Sequence, residues 1–313
     1  MLDQKSLNKL LFIDIETTSQ KETFSELTKH QQDLFKNRFK KDIEMQIQNK
    51  LSVLKVFDSE NVNDSEETKK ATKKKKNILT PEKIIENVKN DIAQELYDTK
   101  GPIHCEWNKI LCISCGVLWK NNENDSFYNI KILSFYGEDE KKLLLDFVNH
   151  PKLGPILNKI PGKFDKNRED FWALVGHNIS VFDLPVISKR MIINEIKPPK
   201  MFDVSHLKSW DLNDVIIDTK SVWSYNVFDN STSLDLLCEI FNVPSSKDEI
   251  SGADVKNVFY KEKDLNKIVK YCEKDVVALA QVYLKMKSMT EEVRVYIPPT
   301  QPSASEEKKE TSV

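Results

Sequence analysis

Two carboxylates, Asp14 and Glu16, lie two positions apart at the end of a short apolar segment, residues 9–15. The segment predicts a buried strand, on which residues i and i+2 point to the same face. Two like charges held side by side repel each other unless a cation lies between them, and Mg²⁺ prefers oxygen ligands of this kind. Acidic pairs also end many strands without any function, so the pair alone leaves both interpretations open.

Three further residues, Asp183, Tyr271 and Asp275, have side chains suited to the same chemistry. Asp183 follows a Gly-His-Asn turn and begins a predicted helix, where the helix dipole also favours an acid. Tyr271 and Asp275 are four positions apart on the most periodic helical segment, so they share a helix face. Taken alone, each has an ordinary structural explanation, as a helix-start acid and as a surface neighbour pair.

The elements that must position these residues are strands in the first half of the chain and mostly helices in the second. Predicted strands cover residues 9–15, 109–119, 128–136 and 171–175. Predicted helices cover residues 80–97, 138–148, 182–194, 233–241, 252–260 and 264–288. A polar turn joins the second and third strands and indicates a hairpin. This order predicts an α/β domain with a mixed sheet.

A polar, lysine-rich stretch interrupts the pattern between the first strand and the hairpin. Residues 57–77 contain almost no apolar side chain, so we expect a disordered or mobile loop there. We therefore predict one domain over residues 1–296, interrupted by an insertion at about 40–80. Residues 297–313 are rich in Pro, Ser and Glu and predict a disordered tail.

Charge and cysteine content restrict the class of protein. The chain has 313 residues, a net charge of −2 and five cysteines. Overall charge therefore does not indicate a general polyanion binder, and the odd cysteine count without framework spacing fits a reducing cytoplasm. Cys112 and Cys115 form a CxxC motif inside an apolar run, without a second pair at zinc spacing, so we interpret them as packed thiols. The N-terminal apolar run is too short for a signal sequence or a membrane span.

Taken together, the motifs occur in a specific order: D-x-E on the first strand, N-x4-D after a later strand and Y-x3-D on the last long helix. With the segments LLFIDIETTS, NKILCISCGV, LVGHNISVFDLPVISKRM, SLDLLCEIFNVPSSKDEISGADV and YCEKDVVALAQVYL, the chain resembles the DEDDy 3′–5′ exonucleases. Within them it is similar to the stand-alone branch related to the exonuclease domain of family B DNA polymerases. The similarity covers about residues 10–287, except roughly 40–80. It implies a ribonuclease H-like α/β fold, with a mixed central sheet flanked by helices.

The resemblance also implies an activity, the release of nucleotides from single-stranded DNA 3′ ends. The implied ligands of two divalent cations, Mg²⁺ or Mn²⁺, are Asp14, Glu16, Asp183 and Asp275. We therefore expect these four carboxylates to face one cleft at the end of the sheet. Tyr271 is implied to position the attacking water. The implied substrate contacts are Thr17, Asn178 and Phe182.

Several alternatives stay open at this point. The same chemistry on RNA is a competing function, because the motifs do not read the 2′-hydroxyl. A catalytically inactive nucleic-acid-binding module is another. A separate DNA polymerase or another replication protein is a further candidate partner. For His177 we expect a structural or positioning role, whereas Lys247 and the run at residues 73–76 are candidates for phosphate contacts or solvated lysines.

Overall fold

The computed structural model describes residues 7–60, 81–159, 172–204, 212, 215–225, 227, 232–245 and 250–296, without the side chains of 51–60 and 81–85. Its strands are β1 (Leu10–Ser19), β2 (Asn108–Trp119), β3 (Phe127–Tyr136), β4 (Ala173–Gly176), β5 (Ile216–Asp218) and β6 (Glu292–Val295). Its α-helices are α1 (Lys29–Arg38), α2 (Lys40–Glu60), α3 (Pro81–Lys100), α4 (Glu140–Val148), α5 (Gly154–Leu157), α6 (Asp183–Ile193), α7 (Thr219–Trp223), α8 (Leu234–Phe241), α9 (Val255–Asn257) and α10 (Leu265–Met286). A π-helical turn, Val258–Glu262, follows α9.

The strands form one mixed sheet in the order β5-β4-β1-β2-β3-β6. Strand β2 pairs antiparallel with both β1 and β3, whereas β4 pairs parallel to β1 and β5 parallel to β4. Helices cover both faces, so the predicted α/β class with a ribonuclease H-like sheet is confirmed. Because β1 lies between β4 and β2, the strand with the D-x-E motif is at the centre of the sheet.

Alternation along β1 divides the core between the two faces of the sheet. Leu11, Ile13 and Ile15 pack on the face covered by α4 and α6. Leu10 and Phe12 pack on the opposite face, against the apolar side of α10. Side chains two positions apart share a face, so the strand period of two also directs Asp14 and Glu16 towards α10.

A close approach of α10 to the sheet depends on Gly116 in β2. A Cβ atom at this position would lie only 2.7 Å from side-chain atoms of both Ile130 and Val276. Any larger residue would therefore push α10 away from the sheet. The helix that carries the Y-x3-D motif is held close to β1 in this way.

The segment between β1 and β2 has its own small core. Aromatic rings of α1, α3 and the flanking turns pack together, with Phe35 and Tyr97 fully buried. Helix α2 begins at Lys40, and its Ile43 is buried in the same cluster. The loop predicted from residue 57 is wrong for 57–60, which are helical, because the short-range pattern did not show that α2 continues to Glu60. The remainder of that loop lies outside the described residues, as do Lys247, the lysine run at 73–76 and the tail at 297–313.

Two strands were not predicted from the sequence. β5 has only three residues, and β6 is mostly exposed, so neither has the apolar alternation that indicates a strand. Both are formed by pairing with a neighbour already in the sheet. The other predicted elements are present with ends shifted by a few residues, and 252–260 is divided between α9 and the π-helical turn. No helix in the described part of the chain is long and apolar enough to cross a bilayer.

Candidate active site

Asp14 and Glu16 lie in the middle of β1 rather than at its end. The strand continues to Ser19, which corrects the expectation of a site at a strand end. Pairing with β2 is regular from Phe12 to Glu16, and the register shifts between Glu16 and Thr17. Such a bulge bends a strand locally and re-aims its side chains. The two acids therefore lie just before an irregularity in the central strand, on the face covered by α10.

Asp275 of α10 completes a compact group of acids. One oxygen from each of Asp14, Glu16 and Asp275 lies within 4.8 Å of the other two. Glu16 and Asp275 are buried and Asp14 is half-buried. The helix and the strand that supply them are far apart in the sequence, so only the packing of α10 on β1 brings them together.

Asp183, the first residue of α6, approaches the same group from the β4 side. It is buried, and the backbone amide of Ile15 donates a hydrogen bond to its carboxylate. Its charge raises the pKa values of both Asp14 and Glu16. All four sequence-predicted acids therefore interact with one another at one place in the fold.

Burial and the mutual repulsion of the carboxylates set the electrostatics of this group. Desolvation is the main cause that raises the pKa of Asp14 and of Glu16 well above the usual range, and the neighbouring acids raise both further. The pKa of Asp183 is raised to about 7, chiefly by burial. Such a site favours a bound proton or a cation over four bare negative charges.

Tyr271 lies one helical turn before Asp275, on the same face of α10, and is buried. Burial raises its pKa, and the charges of Asp275, Glu16 and Asp14 raise it further, with a side-chain hydrogen bond to Asp275. The phenol is therefore protonated at neutral pH and acts as a hydrogen-bond donor at the edge of the carboxylate group.

The Gly-His-Asn turn before α6 is held by a residue that sequence reasoning missed, Asp218 at the end of β5. Its carboxylate accepts the backbone amides of Asn178 at 2.8 Å and Ser180 at 3.1 Å. Asn178 has a left-handed backbone (φ 64°), a conformation that asparagine tolerates better than most residues. The available signal was the run Val215–Asp218, in which an acid ends an apolar strand, as in β1.

His177 has the structural role that was predicted. Its Nδ1 lies 3.0 Å from the Thr219 hydroxyl, and its Nε2 lies 3.2 Å from the Thr232 carbonyl oxygen. Burial lowers its pKa, so the ring is neutral at physiological pH. Both ring nitrogens are occupied in fixing the turn, which leaves His177 no part in proton transfer.

The other two predicted substrate contacts flank the acids. Thr17 follows Glu16, and its hydroxyl donates to the carbonyl of Pro102 at 2.7 Å, so its oxygen can only accept a further hydrogen bond. Phe182 directly precedes Asp183 and is partly buried against the core under α6. Thr17 therefore adjoins Glu16 on β1, and Phe182 adjoins Asp183 at the start of α6.

The cysteines are packing residues: all five are buried, and none forms a disulfide. Cys112 and Cys115 belong to different core clusters, on opposite faces of the sheet, so the CxxC motif is not a thiol pair. The interpretation as packed thiols is confirmed. Cys272, which packs beside Cys112, donates its S–H to the Asp14 carboxylate at 3.4 Å and thereby helps to orient that acid.

Comparison with known proteins agrees with this arrangement. Residues 103–296 match the model of a family described as a predicted 3′–5′ exonuclease related to the exonuclease domain of PolB. No curated protein matches the chain. The matched residues include Asp183, Tyr271 and Asp275, whereas Asp14 and Glu16 precede them. The structure places the strand with these two acids at the centre of the matched sheet.

Proposed function

Because the chain belongs to this family of predicted 3′–5′ exonucleases, we propose that it is a metal-dependent hydrolase that releases nucleotides from single-stranded DNA 3′ ends. The observation that carries the proposal is the convergence of Asp14, Glu16 and Asp275 within 4.8 Å, with Asp183 beside them. Carboxylates held this close repel one another, and a bound cation relieves that repulsion. The proposed catalytic domain spans residues 1–296, with an insertion at about 40–80.

The donor set fits divalent cations of the hard class. Each of the four acids offers only oxygen, and Mg²⁺ and Mn²⁺ prefer carboxylate oxygens. The proposed ligands are Asp14, Glu16, Asp183 and Asp275. When bound, two such ions lower the pKa of a water and stabilise the charge on the departing 3′ oxygen.

The remaining side chains orient reactants. Tyr271 donates a hydrogen bond, and because its raised pKa keeps it protonated, it is suited to holding the attacking water rather than to accepting its proton. Asn178 is presented by the turn that Asp218 holds, beside Asp183, where it can contact the terminal nucleotide. Phe182 offers a partly exposed ring on which a base can stack. Thr17 adds a hydroxyl oxygen that accepts a hydrogen bond.

Relation to a polymerase exonuclease domain favours DNA over RNA as the substrate. The same geometry also suits an exoribonuclease, since none of these side chains distinguishes a 2′-hydroxyl by type alone. The convergence of all four acids argues against an inactive binding module. Five cysteines without a disulfide are in keeping with a reducing cytoplasm as the proposed location.

A cleavage assay tests the proposal. Single-stranded DNA, blunt duplex DNA and RNA of one sequence, each labelled at the 5′ end, are incubated with Mg²⁺, Mn²⁺ or EDTA. We expect a ladder that shortens from the 3′ end, fastest on single-stranded DNA and absent in EDTA. Faster degradation of RNA would establish the exoribonuclease alternative. Binding without cleavage in either metal would establish the binding module.

A further inference from the structure

Three lysines lie together where β1 ends, on the β2 side of the proposed active site. Lys109 of β2 is paired in register with Thr18 of β1. Lys21 follows β1 by two residues, and Lys263 lies two residues before α10 begins. We call these three residues, Lys21, Lys109 and Lys263, the lysine cluster.

Aromatic rings lie beside the ammonium groups of this cluster. The Lys109 Nζ atom lies 4.4 Å from the ring centre of Phe259 and 5.9 Å from that of Tyr260. The Lys263 Nζ atom lies 5.8 Å from the same Tyr260 ring. Tyr260 is itself fixed, because its hydroxyl donates to the Ser19 carbonyl at 2.8 Å. The rings hold the ammonium groups in place by cation–π attraction without neutralising them.

Three acids near the cluster form ion pairs with other cations. Glu22 binds Lys261, Asp98 binds Lys256, and the buried Glu140 binds Arg190. In the described part of the chain, no carboxylate oxygen lies within ion-pair distance of any cluster lysine.

Lys109 is the half-buried member of the cluster, so its charge is the least screened by solvent. Burial is the main cause that lowers its pKa; the charges of Glu138 and Glu140 raise it, and those of Lys21 and Lys263 lower it further. The hydroxyl of the paired Thr18 is buried and has no hydrogen-bond partner among the described atoms. The three lysines therefore lie close together without a carboxylate at ion-pair distance in the described residues, and a bound anion would relieve their mutual repulsion.

The cluster lies close to the acids. Ser19, which Tyr260 contacts, is three residues after Glu16, a distance of about 10 Å along a strand. Phe259 and Tyr271 pack in one apolar cluster with Leu111, which shares a strand face with Lys109. A strand of nucleic acid whose 3′ end reaches the acids can therefore pass over the lysines within a few nucleotides.

We propose that Lys21, Lys109 and Lys263 bind the backbone phosphates of the substrate strand a few nucleotides before its 3′ end. The inference rests on the proposed function for its direction along the strand. Lysines act on phosphates as point charges, so the contact is independent of base sequence. It gives a chain with a net charge of −2 a local positive surface where the polyanion must lie.

The test measures binding separately from cleavage. Fluorescence anisotropy in EDTA gives the Kd for a labelled single-stranded 12-mer and for a dinucleotide, between 50 and 200 mM salt. The variant K21Q/K263Q changes two exposed lysines, and K152Q/K200Q is the matched control, with the same charge change at two exposed lysines elsewhere. For the 12-mer, we expect K21Q/K263Q to weaken binding by roughly fivefold to tenfold and to reduce the salt slope by about 1.4. For the dinucleotide, the ratio of the K21Q/K263Q Kd to the wild-type Kd should be close to 1.

The outcomes separate this inference from the proposed function. Equal 12-mer affinity and equal salt slope in K21Q/K263Q and the control would overturn the inference, whatever the protein cleaves. The same holds if the wild-type protein binds no 12-mer, or if the dinucleotide is affected as strongly as the 12-mer. A selective loss of 12-mer binding in a protein that cleaves nothing would support the lysine site and refute the exonuclease. A 12-mer with one uncharged methylphosphonate, moved along its length, should lose affinity at positions before the 3′ end in the wild type but not in K21Q/K263Q.

Discussion

Two groups of buried charge lie against the same sheet and differ in the sign of the charges within them. One pairs an acid with a base, and the other brings acids together. Between α4 and α6, Glu140 receives the Arg190 guanidinium, the Ile110 amide and the Asn194 amide group. Arg190 also donates to the Cys105 carbonyl at 3.0 Å. Between β1 and α10, by contrast, the neighbouring charges of Asp275 and Asp183 add to burial in raising the pKa values of Asp14 and Glu16.

The difference shows which group supports the fold and which is available for a ligand. A buried ion pair with all its hydrogen bonds made is a stable structural element, and removing one partner is costly. A buried group of like charges instead lowers the stability of the metal-free protein, and such repulsion is typical of functional sites. Substitution should therefore have opposite effects at the two places.

The largest effect is expected for Asp275→Asn. It removes the charge of a proposed metal ligand at nearly constant volume, so turnover should fall by about 10³-fold or more, while the fold is retained. Single-turnover cleavage of a short single-stranded oligonucleotide measures the loss. Asp33→Asn, at an exposed acid on α1, is the matched control and should retain the wild-type rate. Equal rates in both variants would exclude Asp275 from the site.

Glu140→Gln tests the buried ion pair between Glu140 and Arg190. It leaves the buried Arg190 without its counter-charge, so the free energy of unfolding should fall by about 3 kcal/mol. Urea unfolding followed by circular dichroism measures the change. Glu195→Gln, at an acid whose ion pair with Lys141 is exposed, should change stability by less than about 1 kcal/mol. A small effect at Glu140 would show that the network is not a structural element.

Tyr271→Phe separates the role of the tyrosine from that of the acids between β1 and α10. It keeps the ring and removes the hydroxyl, so turnover should fall on the order of 10²-fold, less than for Asp275→Asn. Metal affinity, measured in parallel by calorimetry, should stay unchanged. Tyr225→Phe, at an exposed tyrosine, is the control. A wild-type rate would reduce Tyr271 to a packing residue, whereas a loss of metal would make it a support for the ligands.

The smallest effect is the pH dependence of the metal-free protein. The pKa of Asp183 is about 7 in the fold and 3.8 ordinarily, so the folded state holds the proton more tightly. Stability is then fully present below about pH 4 and falls as pH rises to 7, with a slope of at most about 1.4 kcal/mol per pH unit for this group. Thermal unfolding in EDTA from pH 5 to 8 measures it.

Two additions complete this last comparison. Asp183→Asn should flatten the slope and stabilise the metal-free protein at pH 8, the opposite of Glu140→Gln. Excess Mg²⁺ or Mn²⁺ should stabilise the wild type most at high pH, because the cations bind the ionised acids. Stability that rises with pH in EDTA would contradict the raised pKa.

Much of the site could be predicted, because its residues have regular spacing within single elements. The i, i+2 acids on a strand and the i, i+4 pair on a helix share a face by backbone geometry alone. The apolar period of residues 264–288 predicted α10 almost to its ends, Leu265–Met286. The five motif segments together indicated the family that residues 103–296 match.

The sequence by itself determined which residue types could bind a cation, which elements carry them and to which family the chain belongs. Tertiary structure decided that Asp14 lies in mid-strand, that β5 supplies Asp218 to hold the Asn178 turn and that Lys109 and Lys263 share the Tyr260 ring. These features depend on contacts between residues far apart in the chain. A local period reports which face a side chain takes, but only the packing of one element on another determines what that face meets.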